Sequence, residues 1–231
     1  MTRQALVVRG GWDGHAPIEA TDRFIPYLEE NDFEVRVEGS PEVYAEPDLA
    51  HFDLIVQTNT MNTIEKDQFW GLERAIRAGT GYAGWHGGIA DSYRNTSDYL
   101  QLVGGQFAAH ASKEPSTLIG DPSDNYRLHS YEITELGKQH EITAGIEDFE
   151  LTTEQYWVLS DELIDVLATT TQKVRPWDPW HREITFPAVW TRLWGDGRIF
   201  VCTPGHSVEI LDDPNVKTII QRGLLWAART A

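Results

Sequence analysis

The sequence predicts a single α/β domain, covering residues 1–231, with a mostly parallel sheet flanked by helices. Short apolar runs alternate with amphipathic stretches through the first half of the chain, a pattern typical of strands joined by crossover helices. Glycine-rich turns follow several of the runs and indicate where strands end. A chain of 231 residues with 41% hydrophobic residues suits one sizeable core.

The elements of the first half follow from these patterns in chain order. Gly10 and Gly11 predict a turn after the first apolar run, and Pro17 suits the first turn of a helix. Gly79 is expected to end the amphipathic helix at 64–78 as a left-handed cap. We expect strands at 5–8, 33–37, 54–56 and 81–85, and helices beginning at 17 and covering 64–78 and 97–103.

The second half of the chain is less regular and richer in strands. Strands are expected at 127–133, 166–170, 187–194 and 198–202, with a closing amphipathic helix at 215–229. Residues 121–125 are the best candidate for a mobile loop. In a parallel sheet the binding crevice lies at the carboxyl ends of the strands, so the loops that carry His15 and His86 should face one cleft.

The composition narrows the classes of partner. The net charge of −17 (19 Lys and Arg against 36 Asp and Glu) repels phosphate backbones and argues against nucleic acid. No stretch approaches the roughly 18 apolar residues that span a bilayer, and the N-terminus has no signal-peptide pattern. The single cysteine, Cys202, is predicted to be a core residue, and its lack of a disulfide partner favours the cytoplasm.

The glycine-rich turn around His86, at residues 84–88, is the most specific local signal. A turn with the pattern small-x-x-x-small between a strand and a helix is so tight that its first and last positions have no room for a large side chain. Its central residue points into a pocket above the backbone N–H groups at the helix N-terminus. A histidine there can act as an acid, a base, a hydrogen-bond donor or a metal ligand. The alternative is a structural turn in which His86 only packs.

Other residues are candidates for the same pocket. His206 follows a glycine at the end of another predicted strand, so it is expected to converge with His86. Glu154 and Tyr156 would share one face of a strand. The flat indole of a tryptophan beside glycine or histidine suits stacking on a sugar ring. We therefore predict His86, His206, Glu154 and Tyr156 as catalytic residues, and Trp12, His15, Trp85, His110 and Trp190 as substrate-binding residues.

The sequence contains no motif for a cofactor. It lacks HxxxH and HExxH, so local spacing does not indicate a helical zinc site. It also lacks the glycine-rich motifs that bind dinucleotides and nucleoside triphosphates. No cofactor is predicted, and a divalent metal remains an alternative, with His86, His110 and His206 as its conceivable ligands.

Taken together, motifs along nearly the whole chain resemble the ThuA-like (trehalose-utilisation) family. The order of the motifs and their number make the resemblance much more specific than any one of them. They are Gly-Gly-Trp-Asp-Gly-His at 10–15, Ala-Gly-Thr-Gly at 78–81 through His-Gly at 86–87, Leu-Val-Gly-Gly-Gln-Phe at 102–107 with His110, Glu-Gln-Tyr at 154–156, Pro-Ala-Val-Trp-Thr at 187–191, Gly-Asp-Gly-Arg at 195–198, Gly-His at 205–206 and Leu-Trp-Ala at 225–227.

This resemblance implies a flavodoxin-like domain related to the class I glutamine amidotransferases. In those relatives a cysteine occupies the elbow and a His-x-Glu pair completes the site. Here His86 stands at the elbow, and Glu209 follows His206 at a spacing of three rather than two. Glutamine amidotransferase activity is therefore not expected. The family is named for its role in the use of trehalose and related disaccharides, often beside dehydrogenases that make 3-keto-sugars.

Three functions follow from the residues and the resemblance. The first is an enzyme that acts on a keto-sugar or related glycoside by acid/base proton transfer beside the carbonyl, as an isomerase, lyase or hydrolase. The second is a sugar-binding or regulatory module without turnover, and the third is a metal-assisted hydrolase. In each case the expected partner is a small-molecule carbohydrate. The resemblance and the abundance of aromatic residues also favour a homo-oligomer.

Overall fold

The computed structural model describes residues 2–110 and 125–230. Within these ranges the chain forms a nine-stranded sheet, a separate two-stranded sheet and flanking helices. The expected mobile loop at 121–125 lies outside the described residues except for Asn125. The strands are β1 Arg3–Gly11, β2 Phe33–Glu38, β3 Leu54–Thr60, β4 Gly81–Trp85, β5 Gly105–His110, β6 Tyr126–Ile133, β7 Phe149–Glu154, β8 Tyr156–Ser160, β9 Asp165–Gln172, β10 Ile184–Trp194 and β11 Gly197–Cys202.

The helices cover the sheet, and their bounds are close to those expected from the sequence. Helix α3 has a capping box in which Glu65 and Gln68 satisfy each other's backbone N–H groups, and Gly79 follows its end with a φ of 104°. The helices are α1 Pro17–Asp22, α2 Ile25–Glu30, α3 Lys66–Arg77, α4 Gly87–Ala90, α5 Ser97–Val103, α6 Val208–Leu211 and α7 Pro214–Ala227. No helix in the described ranges is both long enough and apolar enough to cross a bilayer.

The large sheet is mixed, with the strand order β2-β1-β3-β4-β11-β10-β9-β6-β7. The strands from β2 to β11 in this order run parallel, as expected for the first half of the chain. The remaining neighbours pair in antiparallel fashion. The sequence explains this difference, because β10 and β11 are joined by the short turn at Gly195, whereas parallel neighbours need a long crossover.

Two local expectations are wrong. The helix expected to run on from Pro17 is two short helices, α1 and α2, separated between Asp22 and Ile25. The strand expected to carry Glu154 and Tyr156 is interrupted at Gln155: β7 pairs with β6, whereas β8 pairs with β5. The two side chains therefore lie at the ends of different strands and do not share one strand face.

Alternate residues of the central strands pack into two cores, one on each face of the sheet. In β1, Ala5 and Val7 belong to one core, and Leu6 and Val8 to the other. All four are buried because helices cover both faces. Cys202 is also fully buried, which confirms the expectation that it is a core residue.

Candidate functional site

A strained strand–turn–helix elbow presents His86 at the carboxyl end of β4. His86 has φ 49° and ψ −144°, and α4 begins at the next residue. This backbone conformation costs a non-glycine residue on the order of 1–3 kcal/mol. The neighbouring glycines are required, because a Cβ on Gly84 would lie 2.3 Å from the Gln57 carbonyl oxygen and one on Gly88 would lie 2.7 Å from the Thr58 Cα. The elbow expected from the sequence is confirmed.

The hydrogen bonds of the His86 ring fix its tautomer. Nδ1 lies 2.8 Å from the carbonyl oxygen of Thr203, which can only accept, so Nδ1 carries the hydrogen. In a neutral ring Nε2 then has a lone pair. This nitrogen lies 3.2 Å from Oε2 of Glu154 and 3.2 Å from Nδ1 of His206.

Glu154 and His206 complete the centre from two other segments. Nδ1 of His206 lies 2.9 Å from Oε2 of Glu154, and all three side chains are almost completely buried. His206 follows the end of β11 and Glu154 is the last residue of β7. His86, Glu154 and His206 are referred to below as the His–Glu–His centre.

His15 forms one wall of the centre. Its ring centroid lies 4.7 Å from that of His86 and 5.1 Å from that of His206. Its Nδ1 is 2.9 Å from Oγ1 of Thr60, the last residue of β3. The loop after β1 thus carries His15 into the cleft that β4 and β11 form, as expected for the carboxyl ends of parallel strands.

Trp12, His110 and Tyr156 surround the centre. Trp12 is 41% exposed and packs its edge against His15, so it lies beside the cleft. The Tyr156 ring lies 4.3 Å from the His86 ring at an angle of 32°, and Tyr156 is buried. Nε2 of His110 is 3.5 Å from Oε1 of Glu154, and its side chain is partly exposed.

Burial determines the charge state of the histidines in the cleft. Burial is the main cause that lowers the pKa of His15 to about 2 and that of His110 to about 4, and neighbouring histidines lower both further. Burial also lowers the pKa of His86, and it outweighs the opposing contact with Glu154. At neutral pH these three imidazoles are therefore neutral.

Glu154 is the negative charge of the centre. Burial raises the pKa of its carboxyl, but the close contacts with His206 and His86 lower it more, so the pKa lies well below its usual range. A carboxylate buried among rings at neutral pH needs donors or a cation to offset its desolvation. The centre thus combines one negative charge with several imidazole nitrogens.

Three expectations about site residues need correction. Trp190 is fully buried in the core, and its indole N–H donates to the Val103 carbonyl oxygen, so it has no surface to offer a ligand. Trp85 is also a core residue, packed on Phe24. Both lie on strands covered on both faces, where a neighbouring polar residue does not indicate a pocket.

The third correction concerns Glu209, which the resemblance placed loosely as the partner of His206. Its side chain is exposed and lies outside the centre. The carboxylate that contacts His206 is Glu154 instead. Sequence reasoning also missed Thr203, whose carbonyl orients His86, and Asn125, whose Nδ2 lies 3.4 Å from Oε1 of Glu154. The position of Thr203 directly after β11 was the available signal.

The fold and the cleft define an open α/β-sheet protein with a histidine at the elbow and its polar site at the carboxyl ends of the strands. A family model described as ThuA, trehalose utilisation, matches residues 4–227. The chain therefore belongs to the ThuA family, as its motifs indicate. Comparison with curated protein sequences gives no match.

Solved structures share the fold. A ThuA-like protein from Bacteroides uniformis ATCC 8492 superposes with a TM-score of 0.73 at 16% identity, covering 98% of this chain and 91% of that one. A ThuA-like protein from Parabacteroides merdae ATCC 43184 gives 0.71 at 15% identity, covering 100% and 92%. A cytoplasmic protein from Salmonella typhimurium LT2 gives 0.62 at 14% identity, covering 98% and 100%. At these identities the likeness concerns the fold alone.

Proposed function

We propose that this ThuA-family protein is a cytoplasmic enzyme of carbohydrate metabolism that transfers a proton at the carbon beside a sugar carbonyl. The substrate class is a 3-keto-sugar derived from trehalose or a related disaccharide. The single observation that carries this proposal is the His–Glu–His centre: a buried carboxylate held against two imidazoles, at an elbow whose backbone strain persists only because the surrounding structure holds it.

The arrangement suits proton abstraction. The lone pair on Nε2 of His86 is the proton acceptor, because Nδ1 donates to the Thr203 carbonyl oxygen. The C–H electron pair moves into the carbonyl group, giving an enediolate. Glu154 stabilises the imidazolium that forms, in the same way that a triad carboxylate does.

Two outcomes are chemically balanced from that intermediate. Return of the proton to the neighbouring carbon, with proton exchange between the two oxygens, gives an isomer. Alternatively, the electron pair expels the glycosidic oxygen at the next carbon, and this oxygen takes a proton as it leaves, which makes the enzyme a lyase. His206 is the second acid/base candidate, and Tyr156 orients the His86 ring by packing on it.

Groups around the centre offer contacts for a sugar. Trp12 has an exposed indole face for stacking, while His15 and His110 provide polar contacts in the cleft wall. Gln155, next to Glu154, lines a polar groove of about 460 Å³.

Glutaminase chemistry is not part of the proposal. It needs a nucleophilic thiol at the elbow, where this chain has His86. Burial raises the pKa of the Cys202 thiol well above its usual range, so Cys202 cannot supply the thiolate.

Proton exchange followed by NMR tests the proposal. The purified protein is incubated in D₂O with a panel of 3-keto-disaccharides and their parent sugars. We expect deuterium to enter beside the carbonyl or a new sugar product to form, and His86→Ala to reduce the rate by about 10²–10⁴-fold. His181→Ala, which removes an exposed histidine, is the matched control and should keep the full rate.

The outcomes separate catalysis from binding. Exchange at equal rates in the wild-type and His86→Ala proteins would contradict the assigned role of His86. Line broadening of the sugar signals without exchange or product would instead favour a sugar-binding or regulatory module. No response to any sugar would remove the substrate assignment.

A further inference from the structure

The ligand atoms of the His–Glu–His centre form a nearly equilateral triangle. Nε2 of His86 lies 3.2 Å from both Nδ1 of His206 and Oε2 of Glu154, and the latter two atoms lie 2.9 Å apart. Ligands at 2.0–2.1 Å from a tetrahedral ion are separated by about 3.3 Å. The three atoms therefore already have nearly the spacing of one face of a tetrahedral metal site.

His15 lies close to the three atoms of this triangle. One ligand atom from each of His15, His86, Glu154 and His206 can be chosen such that all four lie within 4.8 Å of one another. His110 is less suited than the sequence suggested, because its Nε2 faces Oε1 of Glu154 and not the oxygen at the triangle. The structure thus replaces His110 by His15 and Glu154 in the conceivable ligand set.

The contacts behind the triangle are those of metal ligands. A metal-binding histidine commonly donates its other ring N–H to a carbonyl oxygen or a carboxylate, which fixes the tautomer and directs the lone pair at the ion. His86 does this through Nδ1 and Thr203. Glu154 has a similar second contact, since its Oε1 accepts from Asn125.

The acceptor atoms of the centre suit a cation. Because Nδ1 of His86 donates to the Thr203 carbonyl oxygen, the lone pair on Nε2 faces the Glu154 carboxylate at 3.2 Å, and Nδ1 of His206 lies 3.2 Å from the same Nε2. Glu154 is buried, and its negative charge needs compensation. A divalent ion in the triangle would bind both lone pairs and neutralise the carboxylate.

We propose that His86, Glu154 and His206 bind one divalent transition-metal ion, with His15 close enough to be a further ligand. Two or three imidazoles with one carboxylate suit Zn²⁺ and its first-row neighbours rather than Mg²⁺ or Ca²⁺, which prefer oxygen ligands. The inference rests on the proposed function for its substrate and deepens it. Held by His86, Glu154 and His206, the ion would supply a Lewis acid for the sugar carbonyl and would lower the pKa of a bound water, and Nε2 of His86 would then serve as a ligand and not as the proton acceptor.

Metal titration of untagged protein tests the site independently of activity. The protein is stripped with a chelator, dialysed, and titrated with Zn²⁺ by calorimetry and with Co²⁺ by visible absorption, which reports tetrahedral coordination. We expect one ion per chain and a rise in Tm on binding. Glu154→Gln and His206→Asn should each weaken binding at least about 100-fold.

Controls keep the result specific. His129→Gln removes a buried histidine that hydrogen-bonds Tyr131 outside the centre, and it should bind as the wild type does. Circular dichroism of each variant establishes folding. The Co²⁺ spectrum of His15→Gln reports whether the loss of this imidazole changes the coordination of the ion. Absence of stoichiometric binding by folded wild-type protein, or equal affinity in Glu154→Gln and His206→Asn, would overturn the inference.

The proposed reaction and the metal site can fail separately. Full keto-sugar turnover by the stripped protein, unchanged when Zn²⁺ is restored, would overturn the catalytic metal and leave the reaction standing. Tight, centre-dependent Zn²⁺ binding without turnover of any keto-sugar would leave the metal site standing and remove the reaction.

Discussion

Oε2 of Glu154 lies 2.9 Å from Nδ1 of His206, so the carboxylate partner of this histidine comes from the end of β7. Glu209, three positions after His206, faces solvent. The partnership depends on strand direction. From β11 through β10, β9 and β6 to β7 every neighbour is antiparallel, so β7 runs in the same direction as β11. Glu154, the last residue of β7, and His206, in the loop after β11, therefore lie at the same edge of the sheet.

Glu154→Gln is predicted to abolish most of the proposed activity while leaving the fold intact. The amide keeps the shape of the side chain and can still accept from His206, but it removes the negative charge that stabilises an imidazolium or a bound cation. We expect turnover to fall by about 10²–10⁴-fold, measured as deuterium exchange into a keto-sugar. Glu147→Gln, at an exposed position outside the groove, is the control and should retain activity.

The elbow makes a second prediction, on stability. His86→Gly and His86→Ala both remove the imidazole contacts, but only alanine keeps a Cβ at φ 49° and ψ −144°. Relief of this strain favours glycine by more than its greater unfolded-state entropy disfavours it. The glycine variant should therefore be more stable by about 1 kcal/mol, measured as the free energy of unfolding in urea. A more stable alanine variant would show that the elbow is not strained.

The sequence was sufficient to predict the elbow and the parallel half of the sheet. Glycines around His86 and after β11 mark tight turns, and carboxyl ends of parallel strands must lie at one edge. The Glu154 contact could not be predicted, because it depends on a hairpin joined to β9 through two residue pairs, Glu132 with Thr169 and Ile133 with Ala168. Such a register has no local signature.

The protein is predicted to lose stability as the pH falls, in part through His129. Its Nδ1 donates to the Arg127 carbonyl oxygen and its Nε2 accepts from Tyr131. Burial is the main cause that lowers the pKa of His129 from 6.5 to about 4 in the folded protein. Below pH 6.5 the unfolded chain therefore takes up a proton that the folded chain does not, and unfolding is favoured progressively down to about pH 4.

His129→Gln tests the size of this effect. The shift corresponds to about 3 kcal/mol between pH 6.5 and pH 4, so the variant's free energy of unfolding should fall less steeply over that range. Chemical denaturation of both proteins at a series of pH values gives the difference in slope, and other buried histidines contribute equally to both. Identical slopes would mean that His129 is protonated in the folded protein.

Two of the three tryptophans assigned from the sequence to sugar binding, Trp12 and Trp190, should respond in opposite ways to substitution. Trp12 is 41% exposed beside His15, so Trp12→Ala should change the free energy of unfolding by no more than about 0.5 kcal/mol and raise KM for a sugar by removing a stacking face.

Trp190 is fully buried, and its Nε1–H donates a hydrogen bond to the Val103 carbonyl oxygen at 2.9 Å. Trp190→Phe leaves that oxygen unpaired and a void beside it, which should cost about 1–3 kcal/mol with KM unchanged. Urea unfolding and KM measured on the same four samples (wild type, each single variant and the double variant) separate the two roles, because residues in different environments should contribute additively. A raised KM in folded Trp190→Phe would show that the core on this face reaches the sugar site.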